Sequence, residues 1–192
     1  NRASSRTQSA LLEAMNNKKV SIDGDVITLP EPFFVLATQN PVDQIGTSPL
    51  PESQLDRFLM KISLGNPSRE TEINILKGDN LNPKSINQIF NKYEFLKIQE
   101  KIEEIKVSQN ILEYILDLIS ITRKDKHGLS TRAAVGLLKA SKAYSFISGD
   151  SYVIPDHVQF VFESIAEHRL NSFGNINECL SKQILSNVDA IR

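Results

Sequence analysis

Tryptophan is absent from this chain and cysteine occurs once, at Cys179. A single thiol cannot close an internal disulfide, so covalent stapling is excluded and an oxidising compartment is not implied. Histidine is nearly as scarce. His127, His157 and His168 lie 30 and 11 residues apart, with no acidic or cysteine cluster at ligand spacing, so a metal centre built from side chains is not expected. An excess of one charge is also missing: 22 Lys and Arg face 23 Asp and Glu, evenly spread along the chain. Without a basic face to neutralise phosphates, nucleic acid is not an expected partner, and anionic membrane is disfavoured for the same reason. No apolar run approaches the roughly 20 residues of a membrane helix, which argues against membrane insertion. The N-terminus lacks a basic-then-apolar export signal, and the expected location is cytoplasmic. There are no internal repeats and no low-complexity segments.

What is present is enough for a buried core. The chain has 192 residues, 40% of them hydrophobic, which suits one ordinary domain or two small ones. Residues 5–15, SRTQSALLEAM, place Ala10, Leu11, Ala14 and Met15 on one helical face. In VSIDGDVITLP, branched apolar residues flank Asp23-Gly24, a turn pair that predicts a β-hairpin. Phe33 to Thr38, FFVLAT, is a short continuous apolar run of the kind covered on both faces in a parallel sheet. It ends abruptly at Gln39, Asn40 and Pro41. FLMKISLGNP, from Phe58, alternates well enough to predict another strand, closing at Gly65 and Pro67. Between the two, Gly46, Pro49 and Pro51 interrupt regular structure.

After Pro67 the pattern becomes helical. Ser68, Ser108 and Ser130 are each placed to cap a helix, and Pro155 fits the first turn of another. Ile111, Ile115, Leu118 and Ile119 form one apolar stripe, and Ala134, Leu137, Leu138 and Ser141 form a second. NPKSINQIF reads as a connection, and a last helix is expected from near Ile176. The expected architecture is therefore α/β over residues 1–66, followed by an all-α domain over 67–192, divided near Asn66-Pro67.

Three polar residues sit where chemistry could use them. Asn40 follows the buried run, Arg57 lies in QLDRF before the next strand, and Arg132 opens a helix after Gly128 and Ser130. Each has a plain alternative. Asn-Pro is a common turn former, and an Arg beside Asp and Phe commonly packs its stem on the surface. An Arg at a helix start is mostly solvated.

Together and in order, NRASSRTQSALLEAM, VSIDG, LPEPFFVLATQNP and GTSPLPESQLDRF resemble the MoxR family of AAA+ ATPases. The resemblance continues through ILKG, VSQNILEYILDLISITR, STRAAVGLLKASKAYSFISG and VIPDHVQFVFESIAEHRL. It implies the C-terminal part of a P-loop NTPase αβα sheet, carrying a β-hairpin and followed by a helical lid. On that likeness Asn40 matches the sensor-1 position, a neutral amide that contacts the γ-phosphate or orients the attacking water. Arg57 matches the arginine finger, which reaches into the neighbouring subunit's site. Fingers of this kind contribute on the order of 10³–10⁵ in rate. Asn40 and Arg57 are thus the implied catalytic pair. Arg132 matches the nucleotide-binding sensor-2 arginine of the lid, acting on its own or the neighbour's nucleotide. The hairpin at Asp23-Gly24 matches an element that faces the pore in ring-shaped relatives. Thr131 stands where the family usually has Pro before this arginine, which loosens the aim of Arg132.

The resemblance also implies a hexameric ring that uses ATP and Mg²⁺ to remodel or mature client proteins, von Willebrand A domain proteins among them. None of the 8 glycines opens the phosphate-loop pattern G-x-x-x-x-G-K-[ST], and the acidic pair that holds Mg²⁺ would come just before Asn1. The expectation is a part of a longer ATPase that by itself neither binds ATP tightly nor hydrolyses it. Two other readings stay open. One is a chelatase- or helicase-type AAA+ relative, and the other is a non-catalytic helical interaction module.

Overall fold

The computed structural model describes residues 3–39, 50–78, 87–124, 128–170 and 179–190. Helix α1, Ser5–Asn17, starts on Ser4, whose hydroxyl accepts from the Thr7 N–H, and stops at Lys18, which turns left-handed at φ 51°. The chain then forms the expected hairpin. Strands β1 (Lys19–Ile22) and β2 (Asp25–Thr28) pair antiparallel, with Ile22 opposite Asp25. Asp23 and Gly24 both take positive φ, at 52° and 93°, the combination that joins strands by a two-residue turn without splaying them. The hairpin is largely exposed.

Two sequence expectations fail here. Among the described residues the hairpin is the whole of the sheet, and neither 33–38 nor 58–65 is a strand. An extended run acquires strand hydrogen bonds only from a neighbour in register. No such neighbour stands beside these segments among the described residues, so Leu36 is 85% exposed and Leu64 93%. The face of α1 also differs. Gln8, Leu12 and Ala14 are buried, whereas Ala10 and Leu11 are exposed. Periodicity fixed that there is a stripe, but the packing of α1 on β1 decided where it lies.

A one-turn helix α2, Glu52–Leu55, precedes the turn that carries Asp56 and Arg57. Helix α3, Arg69–Leu76, is capped by Ser68 as expected. Helix α4, Lys92–Glu103, was not anticipated. It begins with a full capping box in which Asn91 and Glu94 each satisfy the other's backbone N–H. The remaining helices are α5 (Gln109–Thr122), α6 (Thr131–Ser148), α7 (Pro155–Leu170) and α8 (Leu180–Ser186).

Helices α5, α6 and α7 enclose the core. Leu118, Ile119, Leu137, Val158, Phe162 and Ile165 are essentially inaccessible to solvent. Full burial of side chains this size contributes about 1.5–3 kcal/mol each. Ser108 and Ser130 cap α5 and α6 as their positions predict. A short parallel bridge between Lys106 and Tyr152 ties the α4–α5 link to the α6–α7 link, with Val153 N–H donating to Lys106 O at 2.9 Å. Helix α8 closes the far side. Its Ser181 N–H donates to Glu167 Oε2 at 3.0 Å.

Candidate functional site

The turn after α2 lies against the first turn of α6 and the last turn of α7, and Asp56 is the point of contact. The Ser130 hydroxyl donates to Asp56 Oδ1 at 2.8 Å while its oxygen accepts from Ala133 N–H at 3.1 Å. One side chain thus caps α6 and joins it to the preceding segment. Arg132 pairs with Asp56 Oδ2 at 3.2 Å, with its side chain 55% exposed. The start of α6 is held from behind as well. Thr122 Oγ1 accepts from Leu129 N–H at 2.9 Å, and Arg123 Nε donates to Leu129 O at 3.0 Å.

From the other side comes Arg169, whose side chain is only 6% exposed. Its Nε donates to Asp56 Oδ1 at 3.0 Å. Its Nη2 donates to the carbonyls of Asp56 at 3.1 Å and Phe58 at 2.6 Å, and its Nη1 to Leu59 O at 3.1 Å and also to Ile165 O. Burial lowers the guanidinium from its ordinary value, and the hydrogen bond and charge of Asp56 work against that loss. An arginine keeps its proton in such a setting. A buried cation with this many acceptors is satisfied, whereas removing one partner would leave an uncompensated buried charge.

His168 lies beside it, with Nε2 3.4 Å from Phe58 O. A carbonyl only accepts, so the proton is on Nε2. Burial, reinforced by the positive charge of Arg169, lowers this imidazole to about 4, and it is neutral near pH 7. Further along, Lys61 N–H donates to Ser164 O at 2.8 Å. Gly136 completes the seat, because a Cβ there would come within 2.9 Å of Leu59 Cδ1. Segment 56–61 is therefore fastened to α6 and α7 by side chain, backbone and close packing.

Of the residues singled out from sequence, Arg57 is half-buried in this turn and Arg132 stands at the start of α6. Asp56, the neighbour of Arg57, links the two stretches. Asn40 lies outside the described residues. Asp56, Ser130, His168 and Arg169 were missed as a group. One signal was available: Val158, Phe162, Ile165 and Arg169 follow a single helical stripe, which puts an arginine on the core side of α7. Among the described residues no cluster of three or more His, Cys, Asp or Glu could hold a metal ion. Among the described residues the site offers no carboxylate ligand set for Mg²⁺. Among the described residues no helix is long and apolar enough to cross a membrane.

Comparisons with known proteins give the family and the fold. The sequence model of the ATPase family associated with various cellular activities (AAA) matches residues 1–60, and that of the AAA lid domain matches residues 123–186. The chain is 40% identical over 175 residues to the uncharacterized protein YeaC of Bacillus subtilis, covering 88% of this chain and 55% of that one. It is 37% identical over 182 residues to the chaperone MoxR1 of Mycobacterium tuberculosis, covering 88% and 48%. The crystal structure of a protein described as a putative ATPase from Cytophaga hutchinsonii superposes with a TM-score of 0.85 at 35% identity, over 98% of this chain and 63% of that one. The chain spans about half the length of the curated relatives it matches.

Proposed function

Since this chain belongs to the MoxR-type AAA+ ATPases, as part of the αβα core followed by the helical lid, we propose that it supplies the arginine finger and the lid arginine of an ATP-hydrolysing site in an oligomeric ring. The whole protein would use that hydrolysis to remodel or mature partner proteins. The observation that carries this reading is the Asp56 carboxylate, which bonds the first turn of α6 at Ser130 and Arg132 and lies next to Arg57. Both arginines of the proposal thereby belong to one fastened surface patch, from which Arg57 would reach the neighbouring subunit's nucleotide.

In this reading Arg57 offsets negative charge developing on the transferred phosphoryl group of the neighbouring subunit. Arg132 exchanges Asp56 for the γ-phosphate when nucleotide is bound, which couples the lid to the nucleotide state. Asn40 is assigned the water-orienting amide. Mg²⁺, when bound, would neutralise the β- and γ-oxygens, and its ligands are not assigned to the described residues. The exposed hairpin at Asp23-Gly24 is assigned to the pore and to contact with clients. A hexamer, a cytoplasmic location and von Willebrand A domain clients complete the proposal.

The test is Arg57→Ala in the full-length protein. Turnover should fall by about 10³-fold or more, with the dissociation constant for ATP nearly unchanged in calorimetry. Loss of binding together with turnover would make Arg57 structural, and unchanged turnover would end the reading.

A further inference from the structure

We infer that Arg169 is a positioning residue for Arg57, clamping the backbone that carries the finger onto lid helix α7 so that the finger moves with the lid. This rests on the proposed function, but its evidence is separate. The Arg169 guanidinium takes the carbonyl before Arg57 and the carbonyl after it, at Asp56 (3.1 Å) and Phe58 (2.6 Å), and then that of Leu59 (3.1 Å). Arg169 fixes the peptide before Arg57 and the one after Phe58, and Phe58 N–H donates to Leu55 O at 3.0 Å between them, which leaves Arg57 little backbone freedom, while its own side chain takes no part in the clamp's hydrogen bonds. Only a planar fork with five donors can address so many acceptors at once, and an ammonium cannot replace it.

The neighbouring contacts act in the same sense. Lys61 N–H to Ser164 O, His168 to Phe58 O, and Leu59 against the bare Cα of Gly136 all join the finger segment to the lid helices α6 and α7. A rotation of the lid would carry residues 56–61 with it. Nucleotide state sensed by the lid of one subunit would thus set where its finger stands in the next subunit's site. Coupling of this type needs no separate relay, because sensor and effector share one rigid piece.

The experiment is a double-mutant cycle on the full-length protein, using radiolabelled ATP to reach low residual rates. Arg169→Lys keeps the charge and loses the fork. It should lower kcat by about 10- to 100-fold, the scale expected when a reacting group is displaced by about an ångström, with KM for ATP within about twofold. The deciding arm is the double variant with Arg57→Ala. If Arg169 acts through Arg57, then Arg169→Lys costs nothing further once the finger is gone. Gly136→Ala forces the Leu59 Cδ1 methyl to shift without touching a charge. It should give a smaller kcat loss that also vanishes in the Arg57→Ala background, and it carries the cycle if Arg169→Lys fails to fold. Effects that add to Arg57→Ala, or a wild-type kcat in Arg169→Lys, overturn the clamp and leave the proposed function standing. Wild-type turnover in Arg57→Ala overturns both.

Discussion

The two halves of this molecule bury their apolar residues on different terms. From Ile105 to Ala166 the helices close around a shared core, and Leu118, Leu137 and Phe162 have no exposed surface. From residue 3 to 66, Leu12 and Ala14 are the buried apolar residues among those described, while Phe34, Leu36, Ile62 and Leu64 are exposed. Helical hydrogen bonds are satisfied within a segment, so a bundle needs only its own side chains to complete a core. Sheet segments depend on partners that lie elsewhere in the chain.

This contrast can be broken by mutation. Phe162→Ala should destabilise the chain by about 3–5 kcal/mol, because it empties a closed cavity. Leu64→Ala should change stability by less than about 0.5 kcal/mol. Urea melts of the two variants compare them directly, and a similar loss in both would mean that 58–65 is buried in solution.

A smaller effect sharpens the boundary where the halves meet. His168 titrates near 6.5 when unfolded and at about 4 when folded. Between these values the unfolded chain takes up a proton that the native state refuses, so stability is fully present above about pH 6.5 and falls as pH drops toward 4. The loss should be on the order of 2 kcal/mol after allowing for partial solvent contact. Glu167 complicates only the acid end. Burial would raise its carboxyl, but hydrogen bonds from Ser181, Cys179 and Leu180 outweigh that and hold it below its usual 4.5. Its contribution is present above that value and is lost as pH falls further. Denaturant midpoints between about pH 5 and 6.5 therefore isolate the histidine, and His168→Leu should flatten the slope there.

A loss smaller than that of the histidine is local. Ser108→Ala removes the side-chain acceptor for Ile111 N–H and should cost about 1 kcal/mol.

Much of the helical half was legible because its signals are local. Ser68, Ser108 and Ser130 each cap the helix they announce, and Ile111, Ile115, Leu118 and Ile119 all turn inward. Asp23-Gly24 specified the hairpin for the same reason. Helix α4 was missed although Asn91 and Glu94 spell its capping box. The strands expected at 33–38 and 58–65 required partners that a local pattern cannot supply. The site divided in the same way. Arg57 and Arg132 were singled out because the resemblance marks their positions. Asp56 and Arg169 are separated by 113 residues, and only the fold reveals that they share a hydrogen bond.

Ser130 holds the Ala133 amide and the Asp56 carboxylate with one hydroxyl. Undocking the upstream segment would therefore disturb the very oxygen that shields that amide. Isotope exchange or the NMR resonance of this one backbone proton becomes a gauge of whether core and lid are engaged, read without any label attached to either.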